Sequence, residues 1–300
     1  MKPKNNTLLI GVIFPGLEKY LNDYCRSINT QNVNDFDILI LNDNYPRSFP
    51  LRNDNIQIIN IKKRMTPAEI RMFAIRNAVE NRYKYIVFSD ADDFFSKNRI
   101  FLSVKKLKKF NFVYNNLILV NESGEMIHQS FYDFFKIKKQ YNSYLDIVDR
   151  NLFGLSHTSA RVENLENLYI PKEIKAVDWW IFSVLLLSNC VGGFIKDTTT
   201  FYRQSDINLA RINRKIDESL VFLGIKVKKI HYKNLLSFCR DKKISEAAEL
   251  YSSKLDEIFK LGKYLKDDKF RKIYIEVINK NYNKINNGWW SYILPLKEWK

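Results

Sequence analysis

Three carboxylates stand within four residues at Asp90, Asp92 and Asp93, directly after the apolar run Tyr85-Ile86-Val87-Phe88. The run reads as a buried strand. In an extended backbone successive side chains alternate faces, which puts Asp90 and Asp92 on the same side of the strand's end. Carboxylates held that close repel unless a cation lies between them or hydrogen-bond donors feed them. Oxygen-only ligands suit a hard divalent ion, Mg²⁺ or Mn²⁺, which keeps waters and takes its remaining ligands from phosphates. The competing role is capping the helix that starts near Ser96, which Asp93 can fill. Capping needs one acid, not three.

The elements around this cluster alternate. Leu8 to Phe14 is a strand stopped by Pro15-Gly16, and Leu17, Tyr20, Leu21, Tyr24 and Ile28 form one helical stripe. Phe36 to Leu41 is a second strand ending at Asn42-Asp43-Asn44, and Ile56 to Ile61 a short third. Thr66-Pro67-Ala68-Glu69 then opens a helix with a capping box and proline at its first position, running to about Asn81. Alternation of this kind predicts a largely parallel α/β sheet whose ligands bind beyond the carboxyl ends of its strands. Pro15, Asp43 and the acidic cluster all fall there. Further on, the pattern predicts a helix over 97–110, a strand over 112–120, a short helix capped by Ser143, an apolar helix opening at Val177-Asp178-Trp179-Trp180, and two strands at 191–195 and 199–203. Beyond about residue 208 apolar residues recur at helical spacing among many lysines. The division is thus 1–208 as the sheet domain and 209–300 as a basic, mainly helical extension.

The 300 residues hold 49 basic and 33 acidic side chains, a formal charge of +16. That field attracts phosphosugars, nucleic acid or an anionic membrane face without choosing among them. Cys25, Cys190 and Cys239 are odd in number and far apart, which argues for a reducing compartment and against a disulfide framework or zinc site. No window approaches eighteen uninterrupted apolar residues, and the apolar run behind Met1 is too short for a signal peptide. No P-loop, Gly-rich dinucleotide fingerprint or RNA-reading motif is present, so nucleic acid is not expected as a partner.

The ordered set of motifs resembles a family 2 glycosyltransferase of the GT-A fold over roughly residues 8–208. Ile38-Leu39-Ile40-Leu41-Asn42-Asp43 resembles the family's second strand with its base-binding aspartate. Ala74-Ile75-Arg76-Asn77-Ala78 is similar to its "ARNxG" helix, and Phe88-Ser89-Asp90-Ala91-Asp92-Asp93 to its "LDADD" metal motif. Val177-Asp178 sits where the family carries an "ED" pair, and Phe201-Tyr202-Arg203-Gln204 resembles "YRQH". Departures are Pro15-Gly16-Leu17-Glu18 in place of "PxYN", Val177 in place of the acid before the base, and Ser205 where a histidine often reaches the metal or diphosphate.

The resemblance implies inverting transfer of a sugar from a nucleoside diphosphate donor, UDP-linked, to a hydroxyl of a glycan or lipid-linked acceptor in bacterial surface polysaccharide assembly. It implies donor contacts from Pro15, Asp43, Arg76, Asp90 and Arg203, the Mn²⁺ or Mg²⁺ ligand at Asp92, and Asp178 as catalytic base. Beside Trp179 and Trp180 the Asp178 carboxyl loses water, which raises its pKa toward a useful value; a helix N-cap is its plain structural role. Trp179 or Trp180 could stack on a sugar, although one of them is better placed as core. His157 lies in the acceptor segment, where a structural histidine is the commoner case. The setting implied is cytoplasmic, with peripheral attachment to the inner membrane face: Lys226, Lys228, Lys229 and Lys233 would meet anionic lipid, and Trp289, Trp290, Tyr292 and Trp299 an interface. Against that stands packing of the tail helices on the catalytic domain or on a second copy, giving a homo-oligomer. A nucleotidyltransferase would also use carboxylates and metal, but wants a phosphate-cradling loop that Pro15-Gly16-Leu17-Glu18 does not supply. A non-enzymatic polyanion- or membrane-binding protein would leave the acids as a mere turn.

Overall fold

The computed structural model describes residues 4–51, 54–128, 130–134, 141, 143–205, 215–280 and 293. At its centre lies β1 (Thr7–Ile13), buried along its whole length. Both faces of the sheet are covered at this point, so the strand reads as a continuous apolar run and not as an alternation. It pairs in parallel with β2 (Asp37–Asn42) and later with β4 (Tyr85–Phe88), while β2 pairs in parallel with β3 (Ile56–Asn60). Between these strands run α1 (Leu21–Asn29) and α2 (Pro67–Glu80). The capping box of α2 is formed in full: Thr66 N–H donates to Glu69 Oε2 at 2.8 Å and Glu69 N–H to Thr66 Oγ1 at 3.3 Å.

The second half departs from the expected parallel order. After β5 (Phe94–Phe95), α3 (Arg99–Leu107), β6 (Phe112–Val120), β7 (Met126–His128) and the short α4 (Phe131–Phe134) comes β8 (Thr158–Arg161), which runs antiparallel to both β4 and β6. The sheet order is β3-β2-β1-β4-β8-β6-β9-β5, with β7 on β6. The sheet is therefore mixed. Thr158-Ser159-Ala160-Arg161 has neither apolar period nor bulk, and small side chains suit a strand wedged between two others. The strand β9 (Gly192–Arg203) is continuous where two were expected; Lys196-Asp197-Thr198 bulges out while the register with β6 jumps from Asn115↔Ile195 to Asn116↔Thr199. A Cβ at Gly192 would run into the ring of Phe112, so glycine is needed for β9 to lie flat on the aromatic start of β6.

The helix α5 (Val177–Leu187) and the tail helices α6 (Glu218–Asp241), α7 (Ser245–Tyr264) and α8 (Asp268–Lys280) complete the chain as described. Trp179, Tyr232, Leu235, Tyr251, Leu261 and Tyr274 belong to the same buried cluster as Leu8, Ile10 and Phe112, so the tail shares one core with the sheet. The 208/209 division and the aromatic set Trp289, Trp290, Tyr292 and Trp299 lie outside the described residues. Among the described residues, no helix is long and apolar enough to cross a membrane. All three cysteines are buried and free.

Candidate active site

The carboxyl ends of β2, β1 and β4 open side by side. Asp43 follows β2, its N–H bonded to Ile13 O at 2.8 Å, which ties that strand end to the end of β1. Asn44 takes a left-handed φ of 62° and donates to Asp43 Oδ1 at 2.9 Å; asparagine tolerates that conformation better than most residues. Pro15 is exposed two residues beyond β1. Because β1 separates β2 from β4, the axes leading to Asp43 and Asp90 lie about 10 Å apart.

Beyond β4 the acids do not continue as a strand. Asp93 N–H bonds Asp90 O at 3.2 Å, so residues 90–93 form a tight turn, and alternation along an extended chain is not what groups them. Ser89 anchors the turn's root: its hydroxyl donates to Ile10 O at 2.8 Å and meets the Tyr24 hydroxyl at 2.7 Å. Gly11 makes room for this, since a Cβ there would collide with the Tyr24 hydroxyl.

The three acids have separate surroundings. Asp90 pairs with Arg71 of α2 at 2.9 Å, both partly exposed. Asp92 is half-buried; burial and the neighbouring Asp90 charge push its pKa up to about 7, against the pull of Arg203 and Arg71. Asp93 is 1% exposed, accepts from Arg203 N–H at 2.7 Å and from the Ser156 hydroxyl, and is held well above the usual carboxylate range by burial and by Asp92 and Asp90. It does not cap α3, whose N-cap Asn98 makes no side-chain capping bond. Asp93 instead fastens the acid turn to β9.

Asp178 lies in the first turn of α5, where Ala176 is the N-cap. Its carboxylate accepts the Trp179 N–H at 2.9 Å. Burial raises its pKa to about 7 and the Asp90 charge adds to the rise, whereas the Trp179 N–H and the Asn151 side chain favour the ionised form. Asn151 is fully buried, and its amide nitrogen has no partner within ordinary hydrogen-bond distance, so its contact with Asp178 is a loose one. The Asp90 charge is among the influences on Asp178, which brings the lone acid of α5 within electrostatic reach of the acid turn that follows β4. A carboxyl with a pKa near 7 is matched to proton removal at neutral pH.

Several sequence expectations are corrected. Arg76 is exposed on α2, and the arginine that reaches the acids is Arg71. At about 100° per residue the two are about 140° apart around the helix, so one face cannot present both. Arg203 is 1% exposed and its guanidinium is spent on the protein: Nε to Asp92 O at 2.8 Å, Nη1 to Glu122 O at 2.5 Å and Nη2 to Asp23 at 2.9 Å. It braces the acid turn from behind and has no fork left to clasp a phosphate. Trp179 and Trp180 are 0% and 3% exposed, with indole N–H groups bonded to Ile147 O and Tyr169 O; neither has a free face for a sugar. His157, 1% exposed, is driven down to about pKa 3 by burial and by Arg99, so it is a neutral core histidine. Arg71 and Asn151 were missed. The ion pair of Arg71 had no signal beyond its place on the same helix as the motif, and Asn151 sits in irregular chain.

Among the described residues no three histidine, cysteine or carboxylate side chains gather to enclose a metal ion. Asp92, a hard oxygen donor repelled by Asp90, fits a cation that completes its shell from phosphate and water. A hollow of about 630 Å³ lined by Lys105, Lys106, Lys109 and Phe110 lies beside Gly192, at the amino end of the sheet where Gly192 pairs Phe112, away from these acids.

The profile of glycosyl transferase family 2 matches residues 12–159. An uncharacterized glycosyltransferase of Rickettsia felis is 24% identical over 206 residues, covering 63% of this chain and 33% of its own length. The chain thus spans about a third of that curated relative. Among solved structures, TarS 1–349 of S. aureus in complex with UDP-GlcNAc superposes with a TM-score of 0.55 at 15% identity, covering 77% of this chain and 66% of that one. The mannosyltransferase PcManGT from Pyrobaculum calidifontis, in complex with GDP-Man and Mn²⁺, gives 0.53 at 12% identity, covering 93% and 88%. With its mixed α/β sheet and acids gathered at the strand ends, the chain has the GT-A fold, and through residues 12–159 it belongs to glycosyl transferase family 2.

Proposed function

We propose that this chain is an inverting glycosyltransferase that moves a sugar from a UDP-linked donor to a hydroxyl acceptor by single displacement. The observation that carries the reading is the row of strand ends that sets Asp43 beside Ile13 and Ser89 beside Ile10 and folds residues 90–93 into an acid turn; the influence of the Asp90 charge on the raised pKa of Asp178 supports the base on the other side. Asp43, at the far end of the row of strand ends, offers acceptor oxygens to the polar edge of a base. Arg71 holds Asp90 and sits partly exposed beside it, where its remaining guanidinium N–H groups serve the diphosphate. Asp92, with Asp90 beside it, would hold Mg²⁺ or Mn²⁺; bound there, the ion supplies Lewis-acid neutralisation of the departing diphosphate. Asp178 removes the proton of the acceptor hydroxyl as that oxygen attacks the anomeric carbon, and a proton taken at Asp178 leaves the enzyme after the diphosphate has departed. The acceptor is a glycan or lipid-linked glycan, in surface polysaccharide assembly on the cytoplasmic side of the membrane. TarS bound to UDP-GlcNAc supports a UDP-sugar donor, and PcManGT bound to GDP-Man and Mn²⁺ supports the cation.

A thermal-shift panel of UDP-, GDP-, dTDP- and CMP-linked sugars, with and without Mn²⁺, tests the reading. The expected result is Mn²⁺-dependent stabilisation by the UDP class alone, lost in Asp92→Ala. Stabilisation by no nucleotide sugar would overturn it.

A further inference from the structure

The tail helices are joined to the acceptor side of the cleft by an unusual set of bonds on one short segment, residues 147–151. Ile147 O accepts the Trp179 indole N–H at 2.6 Å. Asp149 O accepts Lys228 Nζ from α6 at 2.5 Å. The Asp149 carboxylate accepts Lys254 Nζ from α7 at 2.7 and 3.0 Å, and the Tyr232 hydroxyl of α6 at 3.1 Å. The His231 ring of α6 stacks on Trp179 with centroids 4.0 Å apart and planes 21° from parallel. Lys228 and Lys254 are 2% and 8% exposed, and Tyr232 is fully buried.

Both ends of this lock lead to Asp178. Trp179, clamped by Ile147 and His231, gives Asp178 its N–H bond, and Asn151, two residues past Asp149 and fully buried, lies near enough to favour the ionised carboxylate without a close hydrogen bond. Packing alone does not call for such an arrangement. Buried ions cost several kcal/mol each to desolvate, and apolar replacements of similar volume often hold helices together at least as well. Ionic and hydrogen-bonded contacts differ from apolar ones in being directional, so two buried lysines aimed at one residue fix where that residue sits.

We propose that α6 and α7 position the Asp178 carboxylate, with Lys228, Lys254 and Tyr232 acting as positioning residues through Asp149 and Trp179. The basic tail is then the back wall of the acceptor half of the cleft. This rests on the reading of Asp178 as the base. Donor binding depends on strand ends that the lock does not touch, so kcat and donor KM separate.

The test measures UDP release from a UDP-sugar, with water or an added acceptor, for the full chain and for Lys254→Met, Lys254→Arg, Tyr232→Phe and Asp178→Asn. Expected are a kcat at least tenfold lower in Lys254→Met with donor KM unchanged, recovery to within about threefold in Lys254→Arg, and a loss of about threefold in Tyr232→Phe, which removes one hydroxyl at constant volume. The inference is overturned if Asp178→Asn is inactive while Lys254→Met and Tyr232→Phe keep the parent kcat. It is also overturned if kcat and donor affinity fall together. Should Lys254→Met fail to fold, the kcat and KM of Tyr232→Phe decide alone. An Asp178→Asn variant with the parent rate would instead strike the reading of the base.

Discussion

The two walls of the cleft are built on different plans. The wall proposed to take the donor, the donor wall, is the row of strand ends of β2, β1 and β4, where the parallel register alone sets Asp43 beside Ile13 and Ser89 beside Ile10. The wall proposed to face the acceptor, the acceptor wall, is a helix start, Asp178 on α5, leaning on the segment 147–151 and on helices from the far end of the sequence. A strand end is fixed by ladder hydrogen bonds that form wherever the sheet forms. A helix start placed against a loop must be pinned by side chains, and those side chains are open to change without harm to the sheet. The donor wall thus suits a constant nucleotide, and the acceptor wall can be re-cut.

The largest effect expected is on the acceptor wall. Asp178→Asn should lower kcat about a thousandfold, within the range for loss of a general base, while UDP stabilises the variant as it does the parent. Loss of UDP binding in this variant would show that the walls are not independent.

The next is structural and belongs to the donor wall. Arg203→Met strips the buried Asp93 turn of its brace and leaves Asp23 with only the 3.9 Å contact to Arg26, although the Arg203 backbone N–H still reaches Asp93. The loss falls on the guanidinium bonds to the Asp92 and Glu122 carbonyls, since Asp23 is 35% exposed, and costs about 2 kcal/mol, seen as a lower melting temperature. A variant that melts with the parent but binds UDP poorly would restore Arg203 as a phosphate contact.

How much of each wall was legible in the sequence follows from the same difference. The carboxylates of the donor wall stand next to the strands that carry them, so the places of Asp43, Asp90 and Asp92 at the strand ends were legible from apolar runs and turns. Geometry inside the turn was not legible: alternation along a strand was the wrong reason for grouping Asp90 with Asp92, because one 3.2 Å bond folds the chain back. Arg203 was singled out, but its task was invisible, since its partners Asp23, Asp92 and Glu122 lie 81 to 180 residues away. On the acceptor wall Asp178 was legible only by its order among motifs. Asn151 and Lys254 were not singled out, and Lys228, read as lipid-facing, is 2% exposed and bonded to Asp149 O, because a lysine buried on a distant aspartate reads locally like one on a solvated helix face. The strand β8 escaped for a related reason: four small or polar residues carry no period, and their burial comes from β4 and β6 on either side.

A smaller effect is expected from pH. Burial raises the Asp178 pKa to about 7, and in the proposed role of general base the carboxylate works only when ionised. With donor and cation saturating, kcat should therefore be about tenfold lower at pH 6 than at pH 8. The sign is that of a single group losing function on protonation. A rate flat between pH 6 and 8 would remove Asp178 as the group that limits it.

The finest comparison lies within α2. Arg71 and Arg76 share a helix and a charge, yet only Arg71 meets the acid turn. Arg71→Met removes a charge-assisted contact with Asp90 and the N–H groups left for the diphosphate, so donor KM should rise about tenfold, about 1.4 kcal/mol. The same change leaves Asp90 and Asp92 facing each other with less positive charge nearby, and the cation should then bind more tightly, not less, unless Arg71 also orders the turn. Arg76→Met, on an exposed face, should leave donor KM within about twofold of the parent. Titrations of donor at fixed Mn²⁺, and of Mn²⁺ at fixed donor, separate these outcomes: equal effects from the two substitutions would mean that α2 acts on the cleft through its overall charge and not through the one arginine turned toward it.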